Sequence, residues 1–231
     1  PGLLASVKAV VCGTAPLDPV VAESFTAKYG VPVLTLYGAT EFPGGLVGWT
    51  LADHQEFHDR KRGSVGRARP GITIRIVDSG TGQEVPRGSD GLVSVLSPQA
   101  TTRTENGWVV TNDYGRMDED GFVWILGRAA DAINRGGFKI VPQVVEAALR
   151  AHPAVNEVAV VGLADERLGQ VPVAAVTVTE PTTPAELVEW ARESLSRYQV
   201  PVEIRIVDTL PQTVSLKISK DGVRELFRTG P

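Results

Sequence analysis

Two short apolar runs, residues 7–11 and 31–36, bracket a segment that carries helix signals at both ends, and this order constrains the fold more than any other feature of the chain. Asp18 offers a side-chain acceptor at an N-cap, and Pro19 suits the first helical position, where no backbone N–H is needed. Gly30 supplies the stop. Strand, helix and strand in that order imply two parallel strands joined by a crossover helix.

The texture then changes. Residues 72–77 alternate in period two, with Ile72, Ile74 and Ile76 on one face, and Gly80 and Gly82 mark a turn. Residues 92–96 read as another strand. Residues 108–111 and 122–126 flank the polar stretch 118–121 and read as a hairpin. This middle section is expected to be mostly antiparallel β. The tail alternates again, with helices over 142–151, 184–198 and 221–227 and strands over 157–161, 171–179 and 203–207. Leu187, Trp190, Ala191 and Leu195 fall at helical spacing. Helices packed on one face of a small sheet make an α+β unit. The expected fold class is therefore α/β plus α+β. Residues 1–127 form the end of a large domain, a β-α-β unit followed by antiparallel β; residues 128–231 form a small α+β carboxyl-terminal domain.

With a net charge of −4 and a pI near 5.5, the chain lacks the dense basic surface that nucleic-acid binding needs. A nucleotide site needs only a few placed charges and stays open. Cys12 is the only cysteine and cannot form an internal disulfide, which fits a reducing cytoplasm. No apolar run is long enough to span a bilayer and no signal peptide opens the chain. The first residue is Pro1 rather than Met, which suggests a removed start or a piece of something longer.

Four segments carry a family resemblance: Leu36-Tyr37-Gly38-Ala39-Thr40-Glu41; Thr111-Asn112-Asp113 with residues 121–128 behind it; the stretch holding Arg128, Asp131, Asn134, Gly136, Gly137 and Lys139; and Leu210-Pro211 with Thr213, Ser215, Leu216 and Lys217. Each is weak alone. Together, in order and over nearly the whole chain, they resemble the acyl-adenylate-forming (AMP-binding) superfamily, and most of all the carboxyl-terminal half of an acyl-CoA synthetase of the fatty-acid–CoA ligase kind. The resemblance implies ATP-dependent activation of a carboxylic acid to an acyl-adenylate, then thioester formation. It implies ATP/AMP, Mg²⁺ and CoA as cofactors, with CoA or the pantetheine of a carrier protein as acceptor.

Both reactants of adenylation are anionic, so such a protein works by positive charge and positioning. In the resemblance Glu41 is the magnesium ligand, in keeping with the preference of Mg²⁺ for carboxylate oxygens. Thr40 offers its hydroxyl to a phosphate. Tyr37 offers a flat face to adenine, and Gly38 and Ala39 complete the nucleotide segment. Gly13, Thr14 and Ala15, with Pro16, end the first strand beside the end of the second, the crevice that ligands favour in parallel sheets. Asp113, in a turn that Asn112 can accommodate, accepts from the ribose hydroxyls, and Arg128 adds a second ribose or phosphate contact. Asp131 is the hinge about which the small domain swings, and Gly136 and Gly137 border the CoA channel. Lys217 is the catalytic lysine, an ammonium set where transition-state charge grows. Each has a plainer reading: a solvated glutamate, a β-turn aspartate, a flexible linker, a surface lysine. His54 and His58, spaced i, i+4, are expected in a solvated loop rather than a metal site. Gly44 and Gly45 leave room for an acyl chain.

No Gly-rich Ser/Thr/Lys phosphate loop occurs in the chain; the family's loop lies upstream of the matched region. A missing amino-terminal domain is therefore expected as a partner. The alternatives are a non-catalytic module that binds AMP, acyl-adenylate or a carrier protein, and a decayed remnant of such an enzyme.

Overall fold

The computed structural model describes residues 4–15, 17–101, 106–213 and 217–228. They fall into two units, Pro1–Leu126 and Gly127–Pro231.

The first unit opens with β1 (Val10–Gly13), α1 (Pro19–Tyr29) and β2 (Val33–Tyr37). The strands are parallel, with Val10 opposite Val33 and Gly13 opposite Leu36. The Asp18 side chain accepts from Val20 N at 2.9 Å, and Gly30 closes the helix with φ 69°. The strand starts later than the apolar run because the first ladder bond runs from Val10 N to Pro32 O. After β3 (Val47–Gly48), α2 (Leu51–Phe57) and β4 (Gly66–Ala68) come β5 (Thr73–Val77), β6 (Asp90–Leu96), β7 (Trp108–Met117) and β8 (Phe122–Arg128). Among the described residues the sheet order is β1-β2-β3-β4-β8-β7-β6-β5. Ile74, Ile76, Val93, Val95, Val109 and Val123 bury one continuous core with Leu46 and Val47. Full burial of such side chains contributes about 1.5–3 kcal/mol each.

Two sequence expectations are corrected in this unit. His54 lies on α2 and His58 is its C-cap, not in a loop. Thr50 caps the helix by accepting from Asp53 N at 3.0 Å, and Phe57 packs on Phe122 with ring centroids 5.2 Å apart. Two turns are too short to show an apolar stripe, so the capping residue was the readable signal. Thr111, Asn112 and Asp113 lie within β7 rather than in a turn.

The second unit is built on β9 (Ile133–Arg135), β10 (Phe138–Ile140), β11 (Val155–Asp165), β12 (Gly169–Val178) and β13 (Glu203–Ile206). The order is β10-β9-β12-β11, and β13 pairs parallel with residues 173–176 of β12, beyond the point where β9 meets that strand at Gly169. The helices are α3 (Pro142–Arg150), α4 (Pro184–Ser194) and α5 (Lys220–Arg228). They cover both faces of the sheet, not one. Val158 and Val160 of β11 point to Val145, Leu149, Leu187 and Ala191 of α3 and α4. Ala159 and Val161, one residue out of phase, point to Leu210 and to Val223 of α5. The continuous apolar run of β11 already reflects burial on two sides. α4 begins with a capping box between Thr183 and Glu186 and ends at Ser194, because Leu195 turns extended (φ −103°, ψ 142°) and buries its side chain.

Glu146 of α3 is half-buried. Its Oε1 accepts from Val160 N at 3.0 Å, and burial holds its carboxyl above the ordinary carboxylate range. A raised folded-state value means that the ionised form weakens the fold, so this group's contribution is fully present below the ordinary range and lost as pH rises through the raised one. Glu146→Gln keeps an acceptor and removes the charge. In urea titrations it should match the wild type at low pH and become relatively more stable as pH rises through the carboxylate range. An advantage confined to low pH would contradict the assignment.

Candidate functional site

The carboxyl ends of β1 and β2 stand side by side, which places Gly13 next to Leu36 and the segment 37–41 just beyond. Thr14 and Ala15 are exposed there, and Pro16 lies outside the described residues. Thr14 holds φ 71°, the one left-handed non-glycine among the described residues. For a β-branched residue such a conformation costs on the order of 1–3 kcal/mol, and strain of this kind concentrates at ligand sites.

Beyond Tyr37 the chain leaves the strand and turns tightly. Phe42 N donates to Ala39 O at 3.0 Å, which puts Thr40 and Glu41 at the tip of the turn. Phe42 is buried and fixes the turn to the core, and Ala39 packs against the same cluster. The Glu41 carbonyl accepts from both N and Oγ1 of Thr101, at 2.9 and 2.8 Å. The backbone at Glu41 is thus anchored, while the Thr40 side chain is exposed and Glu41 half-exposed. Gly38 is required by close approach: a Cβ there would stand 2.7 Å from the Gly44 carbonyl oxygen. Of the two glycines read as room for an acyl chain, Gly44 has nothing within 4 Å of a would-be Cβ, whereas Gly45 is closely packed. Its would-be Cβ meets Leu36 Cδ1 at 2.5 Å, so the Leu36 side chain already fills that space.

Asp113 reaches this turn through a bulge. In the pairing of β6 with β7, Leu92 faces Tyr114 and Ser94 faces Val110, so Thr111, Asn112 and Asp113 together oppose Val93 alone. Thr111 Oγ1 closes the bulge by donating to Val93 O at 3.0 Å. Bulges re-aim side chains, often beside active sites. Here the bulge buries Asp113 and delivers its Oδ2 to the Tyr37 hydroxyl, which donates at 2.8 Å. Burial, then the charge of Asp113, and more weakly that of Glu41, push the Tyr37 phenol well above its usual range. Tyr37 therefore stays protonated as a donor, and Tyr37, Glu41 and Asp113 share one electrostatic neighbourhood. The Tyr37 hydroxyl thus fixes the orientation of the Asp113 carboxylate.

No group of three or more metal-ligating side chains occurs among the described residues. Magnesium nonetheless suits the donors at the turn. It takes one or two protein carboxylates and fills the rest of its shell with water and phosphate oxygens. Glu41, with the Thr40 hydroxyl beside it, is the group that could hold it.

The remaining predicted residues belong to the second unit. Arg128 ends β8 and is exposed. Asp131 closes a 3₁₀ turn, Ala129–Asp131, and its Oδ2 forms an ion pair with Lys220 Nζ at 2.6 Å. Gly136 and Gly137, with φ 56° and 90°, form the two-residue turn of the β9–β10 hairpin, where Phe138 pairs with Arg135. The stretch is ordered structure rather than a plain linker. Lys217 is exposed, and Thr213 N donates to its carbonyl at 2.7 Å. Ser215 and Leu216 lie outside the described residues.

Sequence reading missed Thr111 as the bulge lock, Thr101 as the anchor of Glu41, and Lys220 as the partner of Asp131. Only Thr111, inside a recognised motif, carried a usable signal. The other two act across separations that no local pattern records.

Residues 2–103 match the family model described as AMP-binding enzyme, and residues 144–217 match the AMP-binding enzyme C-terminal domain. The chain is 34% identical over 232 residues to a 2-succinylbenzoate–CoA ligase of Bacillus mycoides (strain KBAB4), covering 96% of this chain and 47% of that protein. Among solved structures it resembles the O-succinylbenzoate coenzyme A synthetase of Bacillus subtilis in complex with ATP and magnesium ion: TM-score 0.72, 29% identity, 96% of this chain and 49% of that one. It also resembles the amide bond synthetase McbA from Marinactinospora thermotolerans: TM-score 0.79, 30% identity, 97% of this chain and 48% of that one. The chain thus spans about half the length of the relatives it matches.

Tyr37→Phe removes a donor to a buried carboxylate and should destabilise the fold by about 1–3 kcal/mol. Thr40→Ala, at an exposed position, should stay within about 0.5 kcal/mol of wild type. Urea denaturation measures both, and equal effects would contradict the geometry.

Proposed function

This chain belongs to the AMP-binding enzyme family, and from that membership we propose that it is the carboxyl-terminal half of a ligase that activates a carboxylic acid with ATP and passes the acyl group to CoA. The observation that carries the proposal is the bond between Tyr37 and Asp113. It joins two of the segments on which the family resemblance rests, and it sits beside the carboxyl ends of two parallel strands, where nucleotides bind in open α/β sheets.

In this reading Asp113, held by Tyr37, accepts hydrogen bonds from the ribose of AMP. Gly13, Thr14, Ala15, Gly38 and Ala39 line the nucleotide with backbone, and Thr40 contacts phosphate. Magnesium, when bound at Glu41, neutralises phosphate charge. Arg128 adds positive charge toward the nucleotide. Lys217 stabilises the charge that develops as the substrate carboxylate attacks the α-phosphorus and pyrophosphate leaves. Asp131 is the hinge, and the Gly136–Gly137 turn borders the path of the thiol.

An amino-terminal portion is needed to hold the β- and γ-phosphates, and the surface supports its existence. Val11, Val20 and Val21 are 65%, 57% and 58% exposed, and no residue of α1 is buried. An uncovered apolar helix beside an open strand edge is the surface that the rest of a full-length ligase would cover. The acceptor has a second reading. The likeness to an amide bond synthetase is as close as that to a CoA synthetase, which favours testing an amine beside the thiol.

Calorimetry with AMP tests the nucleotide assignment on this chain. Asp113→Ala should weaken binding about fivefold to 150-fold, the equivalent of about 1–3 kcal/mol; unchanged affinity would remove the site. In an enzyme completed by its amino-terminal portion, Lys217→Ala should abolish most ATP–pyrophosphate exchange and spare thioester formation from added acyl-adenylate. Equal loss in both half-reactions would remove the assigned role.

A further inference from the structure

The side chain of Lys220 joins Asp131 to the segment that carries Lys217. Lys220 is the first residue of α5 and stands three positions after Lys217. Its Nζ forms an ion pair with Asp131 Oδ2 at 2.6 Å, with both side chains about one-third exposed. The backbone between Lys217 and Lys220 has little freedom. Thr213 N bonds Lys217 O, Ser219 N bonds Pro211 O at 2.8 Å, and Ser219 Oγ accepts from Gly222 N at 3.1 Å in the first turn of α5. The half-buried Glu146 carboxyl also feels, more weakly than its own burial, the charges of Arg150, Lys220 and Asp131.

We propose that Lys220 is a positioning residue that couples the backbone state at Asp131 to the placement of Lys217. The proposal rests on the hinge and lysine roles given above and adds the link between them. When Asp131 keeps its present conformation, Lys220 is held by its carboxylate, and the first turn of α5 and the backbone at Lys217 just before it are anchored. When Asp131 swings away, the ammonium loses its partner and the anchor of the segment goes with it. Coupling of this kind is reciprocal, so freeing the segment also frees the hinge. An ion pair this exposed biases an equilibrium by about fivefold at most. That is weak enough to open in every catalytic cycle and strong enough to favour one state.

Residue-resolved hydrogen exchange on this chain tests the link, with Asp131→Asn, Lys220→Met and Lys220→Arg. Asp131→Asn should speed exchange at Ala132, and also at Thr213, Lys217 and Ser219, more than 80 positions away, by about two- to fivefold. Amides of α3 and of the β11–β12 hairpin should not change. Lys220→Met should reproduce both effects, Lys220→Arg should restore protection, and the double variant Asp131→Asn with Lys220→Met should exchange no faster than either single one. A response to Asp131→Asn confined to Ala132 would overturn the coupling. So would uniform acceleration across the second unit, because the pair would then hold the fold rather than the segment. AMP affinity depends on Asp113 in the other unit, so failure of the coupling and failure of the nucleotide assignment are read separately.

Discussion

The hydrogen bond from the Tyr37 hydroxyl to the Asp113 carboxylate joins residues 76 positions apart, and the functional reading of this protein depends on it. It requires the parallel β1–β2 pair, which ends β2 at Tyr37. It also requires the β7 bulge, which turns Asp113 toward that end. Neither element makes a site alone. A buried carboxylate needs a donor, and a half-buried phenol beside that charge keeps its proton and supplies one. The pair therefore stabilises the fold and presents an oriented anion at the edge of the sheet.

Much of the fold was legible because it is written in local signals. Asp18, Pro19 and Gly30 set the ends of α1 almost to the residue. The alternation of Ile74 and Ile76 gave β5 its buried face. Features that depend on contacts distant in sequence were not legible. The bulge at Thr111 exists because of its register against Val93, and a Thr-Asn-Asp tripeptide read by itself suggests a turn. The second helical face of the small sheet was hidden for a related reason. An unbroken run such as Val158 to Val161 says that a strand is buried without saying what covers each side.

The candidate site was legible as residue types in order, not as geometry. Gly38 looked like an invitation to a nucleotide, and the backbone gives it a second reason, the carbonyl of Gly44. Gly45 looked like room for an acyl chain, yet Leu36 fills that room. Small residues in a motif can serve packing, and only coordinates separate the two uses. The strain at Thr14 points the other way: nothing in the sequence flagged it, and it lies where β1 meets the proposed nucleotide edge.

The central claim is that AMP is held at the carboxyl end of β2, against the β7 bulge. A titration of the ¹⁵N-labelled chain with AMP, followed by amide resonances, tests it most directly. The account predicts that the largest saturable shifts fall on Thr14, Gly38, Ala39, Thr40 and Asp113, and that α2 around His54 and His58 stays still. Shifts centred on α2, or none up to millimolar AMP, would contradict it.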